Sequence, residues 1–322
     1  MKAYVYGANG PAITDVPKPS PKGTQVLVKV HACGLNRADL GMTKGHVHGS
    51  AGGVGTVLGI EWTGEIAEVG PDAKGVKVGD KVMGSGGGAF AEYTVADHGR
   101  LFRTPSNMNF EEAATLPVAL STMHNAVVTN GALQPGQTVL IQGASSGVGL
   151  MAMQIAKLKG AKTVIGSSTD AMRRGRLKEF GADLAVDSSD PGWVDEVLKA
   201  TNGEGVDLIV DQVSGSVANQ NLKATRIKGR IVNVGRLGGT HGDFNFDLHA
   251  ARRINYIGVT FRTRTIEEVR EIFDEVRKDI WPAVESRKLQ LPIDKVYAFD
   301  DIGKAFEHME ANKHLGKIVV TL

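Results

Sequence analysis

Cysteine is nearly absent from this sequence: Cys33 is the only one in 322 residues. One thiol allows no intramolecular disulfide and no cysteine-rich metal site. The pattern suits a reducing compartment such as the cytoplasm. Excess charge of one sign is also missing. Lys and Arg total 37 against 35 Asp and Glu, a net +2, so there is no global electrostatic case for nucleic acid or an anionic membrane. No apolar run approaches the ~18 residues of a membrane span. The opening residues MKAYVYGANGPAITDVPKPSPKG lack the apolar stretch of a secretory signal. There is no internal repeat and no low-complexity tail. These absences predict a cytoplasmic protein that binds neither nucleic acid nor membrane.

What remains is ordinary globular composition, 42% hydrophobic and 22% charged. The length suggests about two domains of roughly 150 residues each. The 41 glycines are interleaved with Val, Ile and Leu, which points to turns and close backbone approaches.

The first third reads as β structure. Short apolar runs at Gln25–Val30, Gly64–Val69 and Ala91–Val95 are separated by Gly, Pro and Asp. Two glycine-rich stretches, Gly45–Gly55 and Gly84–Gly88, read as loops, and the first is long enough to suggest a function. From about Leu133 the rhythm alternates. Strands are predicted at Thr138–Gln142, Lys162–Gly166, Leu184–Val186, Val206–Val210, Arg230–Val234 and Tyr256–Phe261. Helices are predicted at Gly147–Lys159 and Ala171–Phe180. Six apolar strands separated by helices predict an α/β fold with a Rossmann doubly wound parallel six-stranded sheet. The tail changes again, with an amphipathic helix over Thr265–Lys288 and a closing strand Lys317–Thr321. It does not extend a parallel sheet simply, so it is expected to return to the first domain.

The strongest motif is Gln142–Gly149, QGASSGVG, between a predicted strand and helix. Small residues there let a pyrophosphate meet backbone N–H groups at a helix N-terminus. Ala144, Ser145, Ser146, Gly147, Val148 and Gly149 are therefore candidate cofactor contacts, against the plainer reading of a ligand-free tight turn. The next strand selects the cofactor. An acid about 20 residues beyond the glycines would grip the ribose of NAD. Here the strand tip carries Ser167, Ser168 and Thr169, then Arg173 and Arg174. Hydroxyls and a guanidinium suit a 2′-phosphate, which predicts NADPH with Arg173 on the phosphate. Asp170 reads as a helix-start residue.

At this point the chain resembles the zinc-free medium-chain dehydrogenase/reductase superfamily, in its quinone oxidoreductase, zeta-crystallin-like branch. The resemblance spans essentially the whole length. It rests on Gly34-Leu35-Asn36 with Asp39, Gly59-Ile60-Glu61 with Gly64, Val78–Val82 (VGDKV), Ala91-Glu92-Tyr93, QGASSGVG, Phe180–Asp183 (FGAD), Gly229–Val234 and Gly316–Val319 (GKIV). It implies a GroES-like β-rich catalytic domain of residues 1–118 and 262–322, with a Rossmann domain of 119–261 inserted. It also implies a cleft between domains and a homodimer joined at the sixth strand. Zinc-dependent members ligate a catalytic metal at positions that match Asn36, Ile60 and Val118, and Ile and Val cannot ligate zinc. The four-cysteine structural lobe is missing too, so no metal is expected.

The activity implied is zinc-independent hydride transfer from NADPH to a quinone or an α,β-unsaturated carbonyl. Such acceptors already stabilise the incoming charge, so no Lewis acid is needed. By resemblance Asn36 lines the nicotinamide end. Relatives often carry a tyrosine where this chain has Gly41 or Val47, and that departure leaves His46 and His48 as proton-donor candidates. The resemblance adds cofactor contacts at Ser121, Thr122, Val213, Ser214, Gly235, Thr260, Phe261, Arg262, Asn312 and Lys317. The plain alternatives are a helix cap for Ser121 and Thr122, and surface charge for Arg262 and Arg264. Cys33 reads as a small buried hydrophobe. Two competing functions stay open: an enoyl-thioester reductase, and a nucleotide-binding protein without turnover.

Overall fold

The computed structural model describes residues 1–49 and 51–322. The chain divides into two compact units, Met1–Ser121 with Phe261–Leu322, and Thr122–Thr260. The first break falls after Ser121, inside the helix Pro117–His124, and not after Val118 as the motifs implied.

The first unit is β-rich. Its main sheet runs Leu101–Arg103, Lys81–Ser85, Glu61–Val69, Gln25–Gly34, Lys317–Thr321 and Ile293–Ala298, with Tyr93–Asp97 also pairing Gln25–Gly34. The strand Gln25–Gly34 pairs with Glu61–Val69 through two register shifts, at Leu27/Val28 and Val30/Ala32. Such bulges bend a strand and increase its twist, which lets one strand serve three neighbours. Trp62, Phe90, Val26, Val28, Leu58 and Phe306 form the core against it. The C-terminal strand enters this sheet antiparallel, Val319 opposite Gly34 and Val320 opposite Cys33. The tail therefore does return to the N-terminal strands.

The second unit holds six strands, all parallel, in the order Leu184–Val186, Thr163–Ser167, Thr138–Gln142, Val206–Asp211, Thr225–Asn233, Asn255–Gly258. The chain starts in the middle and winds outward both ways. Strand order reverses between Thr138–Gln142 and Val206–Asp211, and ligands of open α/β sheets bind at the carboxyl ends beside such a reversal. Val206–Asp211 is buried at every residue, which suits its apolar stretch Leu208–Val210 between Asp207 and Asp211.

The elements correct several expectations. The stretch Gly45–Gly55 is not all loop: Val47–His48 pairs with Ala51–Gly52, and Ser50 lies outside the described residues. Gly84 and Ser85 belong to the strand Lys81–Ser85. The helix predicted over Ala171–Phe180 ends at Gly175 and continues as a 3-10 turn, Leu177–Phe180, closed by Gly181 at φ +98°; glycine in a helix interior weakens it. The long helix of the tail is two, Ile266–Asp279 and Trp281–Glu285, because Pro282 cannot continue a helix but suits the first turn of one. The sixth strand stops at Gly258, short of the Phe261 expected. No helix among the described residues is long and apolar enough to cross a membrane.

The tail is also fixed by charge. Arg270, on Ile266–Asp279, donates to both oxygens of Asp97 at 2.8 and 2.6 Å. Asp97 further accepts from Thr24 Oγ1 at 2.6 Å and the Gly99 N–H at 2.9 Å. Burial pushes this carboxyl up, but those four bonds outweigh it and hold it at about 2. A carboxyl held below its unfolded value of about 3.9 stabilises the fold above that pH, and the contribution is lost as pH falls toward 2. Asp97→Asn should therefore cost about 2 kcal/mol at neutral pH. Urea unfolding at pH 7 and at pH 2.5 should show the gap between variant and parent shrinking at the lower pH.

Candidate active site

The glycine-rich loop of the second unit leaves the strand Thr138–Gln142 at the reversal of strand order and opens the helix Gly147–Leu158. Most of its N–H groups have internal partners. Gly143 N–H donates to Ser167 Oγ at 3.0 Å, and Ala144 N–H to the Ser167 carbonyl at 2.8 Å. Ser146 N–H donates to the Gly143 carbonyl, and Gly149 N–H to Ser146 Oγ, the helix cap. The N–H groups of Ser145, Gly147 and Val148 have no protein acceptor among the described residues. Three open donors at a helix N-terminus form an anion cradle, so these residues fit the pyrophosphate of a dinucleotide.

Ala144 and Gly149 serve the loop differently than the motif suggests. Ala144 is fully buried, and its N–H is already bonded. A Cβ on Gly149 would lie 2.7 Å from Ala144 Cα, so glycine there permits the close approach of helix to loop. Two residues that sequence reasoning missed hold the loop from beneath. Gln212 Nε2 donates to the Gln142 carbonyl at 3.1 Å, and its Oε1 lies 2.9 Å from Ser146 Oγ. Gln142 Oε1 accepts from Ser167 Oγ at 2.6 Å, and its Nε2 donates to Asn221 Oδ1 at 2.8 Å. Their signal was position: Gln142 is the polar last residue of its strand, and Gln212 directly follows the strand Val206–Asp211.

The neighbouring strand tip divides its hydroxyls. Ser167 is fully buried and bonded inward. Ser168 Oγ donates to Ser145 Oγ at 3.0 Å, and Thr169 is exposed. Asp170 caps the following helix, accepting the Arg173 N–H at 2.8 Å, as its placement suggested. Arg174 is anchored on the Ser168 carbonyl and on Asp187. Arg173 Nε lies 3.6 Å from Asp170 Oδ1, with its side chain mostly buried. At the next two strand ends, Val213 and Ser214 donate their N–H groups to Asp211 Oδ1, both at 2.9 Å. Ser214 sits at φ +62°, ψ −132°, a conformation that costs of order 1–3 kcal/mol. Its Oγ donates to the Gly235 carbonyl at 2.5 Å and accepts from Asn233 Nδ2. Val213, Ser214 and Gly235 thus collect beside the reversal point. Thr260 closes this unit.

In the first unit the residues matching the metal positions meet a buried ion pair. Lys317 Nζ donates to Glu61 Oε2 at 2.5 Å and to Asn36 Oδ1 at 2.8 Å. Glu61 also accepts from Asn36 Nδ2 at 3.0 Å and from the Val118 N–H at 2.7 Å. Asn36 Nδ2 donates a second bond to the Gly34 carbonyl at 3.2 Å. Glu61 and Lys317 are 0% and 5% exposed. A Cβ on Gly34 would lie 2.9 Å from Glu61 Oε2 and 2.3 Å from the Ala114 carbonyl, so only glycine leaves room. Lys317, expected to face cofactor, is turned inward, and the Asn36 amide has both hydrogens in use.

The remaining candidates scatter. Ser121 is neither a cap nor open: it is buried within Pro117–His124 and donates to the Pro117 carbonyl at 2.7 Å. Thr122 follows it in the same helix. Asn312 accepts from Arg37 at 2.8 Å. His46 is exposed. Burial, then the nearby charge of Arg262, pulls the His48 imidazole below its usual value, which disfavours a protonated donor at neutral pH. Arg262 follows Phe261, and its backbone lies against Gly49. Cys33 is fully buried, its Sγ–H directed at the Ala89 carbonyl at 3.0 Å, and burial raises the thiol well above its ordinary value.

Residues 22–106 match the alcohol dehydrogenase GroES-like domain, and 147–278 the zinc-binding dehydrogenase family. Human quinone oxidoreductase is 27% identical over 325 residues, covering 99% of this chain and 96% of that protein. A solved alcohol dehydrogenase superfamily protein from Novosphingobium aromaticivorans is 28% identical with TM-score 0.90, covering 100% and 99% of the two chains. The chain belongs to the medium-chain dehydrogenase/reductase superfamily, in its quinone oxidoreductase branch. It is thus an oxidoreductase of a family that binds a nicotinamide cofactor. A phenolphthiocerol/phthiocerol polyketide synthase polypeptide of Mycobacterium tuberculosis is 30% identical over 96% of this chain, which spans only 14% of that protein.

Within a superfamily that includes zinc enzymes, this chain's donor set does not fit the metal. Ile60 and Val118 offer no ligand atom, and the Glu61 carboxylate is taken by Lys317. Among the described residues no group of three His, Cys, Asp or Glu could hold a metal ion. The buried pair can be tested by removing its halves in turn. Losing one partner of such a pair costs about 3–5 kcal/mol, so Lys317→Met should lose that much in urea unfolding, and adding Glu61→Gln should recover most of it. Asp39 beside them is fully buried and accepts the Asn36 N–H at 2.7 Å. Burial pushes it up to about 7, against the pull of that N–H and of Lys317. A raised carboxyl favours the fold fully below about pH 4, and the contribution is lost as pH rises through 7. The unfolding free energy of Asp39→Asn should therefore gain on the parent between pH 5 and pH 8.

Proposed function

We propose that this chain is a zinc-independent reductase that takes hydride from NADPH and delivers it to a quinone or an α,β-unsaturated carbonyl. The Glu61–Lys317 pair carries this reading. It fills the metal neighbourhood with an internal salt bridge, so the protein supplies no Lewis acid, and the acceptor must itself stabilise the arriving charge. The nicotinamide, when bound, supplies the hydride. The chain's own work is positioning. The N–H groups of Ser145, Gly147 and Val148 hold the pyrophosphate. Ser168, Thr169 and Arg173 take the 2′-phosphate, where a guanidinium pairs bidentately. Val213, Ser214 and Gly235 sit further along the sheet edge, toward the nicotinamide. Asn36 is a fixed amide and does not donate a proton, because both its hydrogens are bonded. His48 is kept neutral, so the proton on the product comes from water or from His46. The exposed strand Asn255–Gly258, with Tyr256 and Phe246 beside it, supports a homodimer paired along that edge.

The polyketide synthase match favours a second reading, reduction of an enoyl thioester. A single assay series separates these. NADPH and NADH oxidation should be followed with quinones, enones and a short enoyl-thioester, with and without a chelator. Chelator-insensitive oxidation of NADPH with quinone or enone is expected; turnover confined to the thioester would favour the second reading. Arg173→Ala should raise KM for NADPH about tenfold or more, the loss of a charge-assisted bond, and change KM for NADH little. Equal effects on both would remove Arg173 from the 2′-phosphate.

A further inference from the structure

Arg100 carries a charge that its surroundings do not neutralise. It ends the turn His98–Arg100 and leads into Leu101–Arg103. Its Nε is buried without a hydrogen-bond partner. Among the described residues it makes no ion pair. The nearest opposite charge, Asp97, is already bonded by Arg270, Thr24 and Gly99. Burial disfavours the Arg100 charge, and Asp97 only partly opposes that. A guanidinium cannot shed its proton in a protein, so burying it unpaired is costly.

Its position gives that cost a use. The guanidinium packs on Gly86, where a Cβ would lie 3.8 Å from Nη2. Gly86 N–H donates to the Ile60 carbonyl at 2.9 Å, and the adjacent Ser85 pairs with Glu61. Gly87 lies against Ala51, which pairs with His48. Arg100 thus stands one loop away from the residues at the metal positions and beside the long glycine-rich segment. No acidic residue occurs from Leu40 to Ile60 or from Lys81 to Ala91, while Lys44, His46, His48 and Lys81 do. Both loops are free of the negative charge that would compete with an anion.

We propose that Arg100 binds a carboxylate on the acceptor, so that the substrates of this enzyme are enones or quinones bearing an acid group. The inference rests on the reductase reading above and names its substrate class. A guanidinium edge matches a planar carboxylate with two parallel N–H bonds.

The test compares trans-4-oxo-2-pentenoate with its methyl ester; because the ester is intrinsically the stronger acceptor, the readout is the change in the acid-over-ester ratio between parent and variant. In Arg100→Met the ratio of kcat/KM, acid over ester, should fall about tenfold or more, the loss of a charge-assisted pair. An unchanged ratio overturns the proposal. Arg100→Lys keeps the charge but not the fork, and it replaces the Met variant if that one does not fold: a ratio lowered at least about threefold supports the proposal, and an unchanged one overturns it. Should the parent protein reduce neither compound, the reductase reading fails on these probes and binding decides Arg100 separately. Broadening of the acid's vinyl proton resonances by the parent and not by the variant supports the anion site; equal broadening overturns it.

Discussion

A lysine ammonium buried against a glutamate organises the β-rich unit. Desolvating both charges is expensive, and their attraction offsets it only when the remaining hydrogen-bonding capacity is satisfied. Here it is. Glu61 accepts from Lys317, Asn36 and Val118, and Lys317 also reaches Asn36. That requirement propagates outward. Gly34 must lack a side chain to admit the pair. Leu35 and Asn36 then follow in fixed orientation, and the start of the helix Pro117–His124 is tied to the same carboxylate. The strand Lys317–Thr321 is held beside Gln25–Gly34 by backbone pairing and by this charge, which anchors the C-terminal tail to segments near the beginning of the chain.

The second unit meets a different constraint, the shortage of acceptors at a helix N-terminus. A helix begins with N–H groups that its own turn cannot satisfy. In most such starts side chains or water take them. The loop Gly143–Ser146 bonds some of its own N–H groups inward, through Ser167 and Ser146, and leaves the donors of Ser145, Gly147 and Val148 outward. Gln142 and Gln212 make this division stable, because their amides link the ends of three adjacent strands to the loop. The arrangement of open donors in the loop is thus a property of the sheet edge beneath it more than of the glycines in its motif.

This explains what could be read from sequence alone. The parallel sheet was legible because strands buried on both faces carry apolar stretches such as Val139–Ile141 and Leu208–Val210. The tight strand–helix loop was legible because close approach demands small residues in a fixed order. Helix ends were less so: Gly175 and Pro282 each broke a stretch whose periodicity continued across them. The site contacts that depend on distant partners were not legible. Lys317 and Glu61 lie far apart in the chain, and nothing near either one announces the other. Family motifs direct Lys317 toward the cofactor, where the packing turns it inward. Ala144 departs from its motif role for the same reason, since a motif records residue size and not which N–H is already bonded. Arg100 carries no sequence signal, because an arginine without a partner looks in sequence like any surface arginine.

The ion pair beside the residues that match the metal positions bears on orientation as well as stability. An apolar filling of the same space would often be equally stable or more so, so stability alone does not account for Lys317. What the pair adds is orientation: an amide with its oxygen held by an ammonium and its nitrogen by a carboxylate has one allowed flip state. Asn36 therefore presents a fixed face in a unit whose other loops are rich in glycine. On the proposed reading, a site with no Lewis acid and no free acid at this point relies on shape and on the acceptor's own electron affinity. On the proposed reading selectivity comes from groups around the acceptor, and Arg100, proposed as a carboxylate site, is one such group.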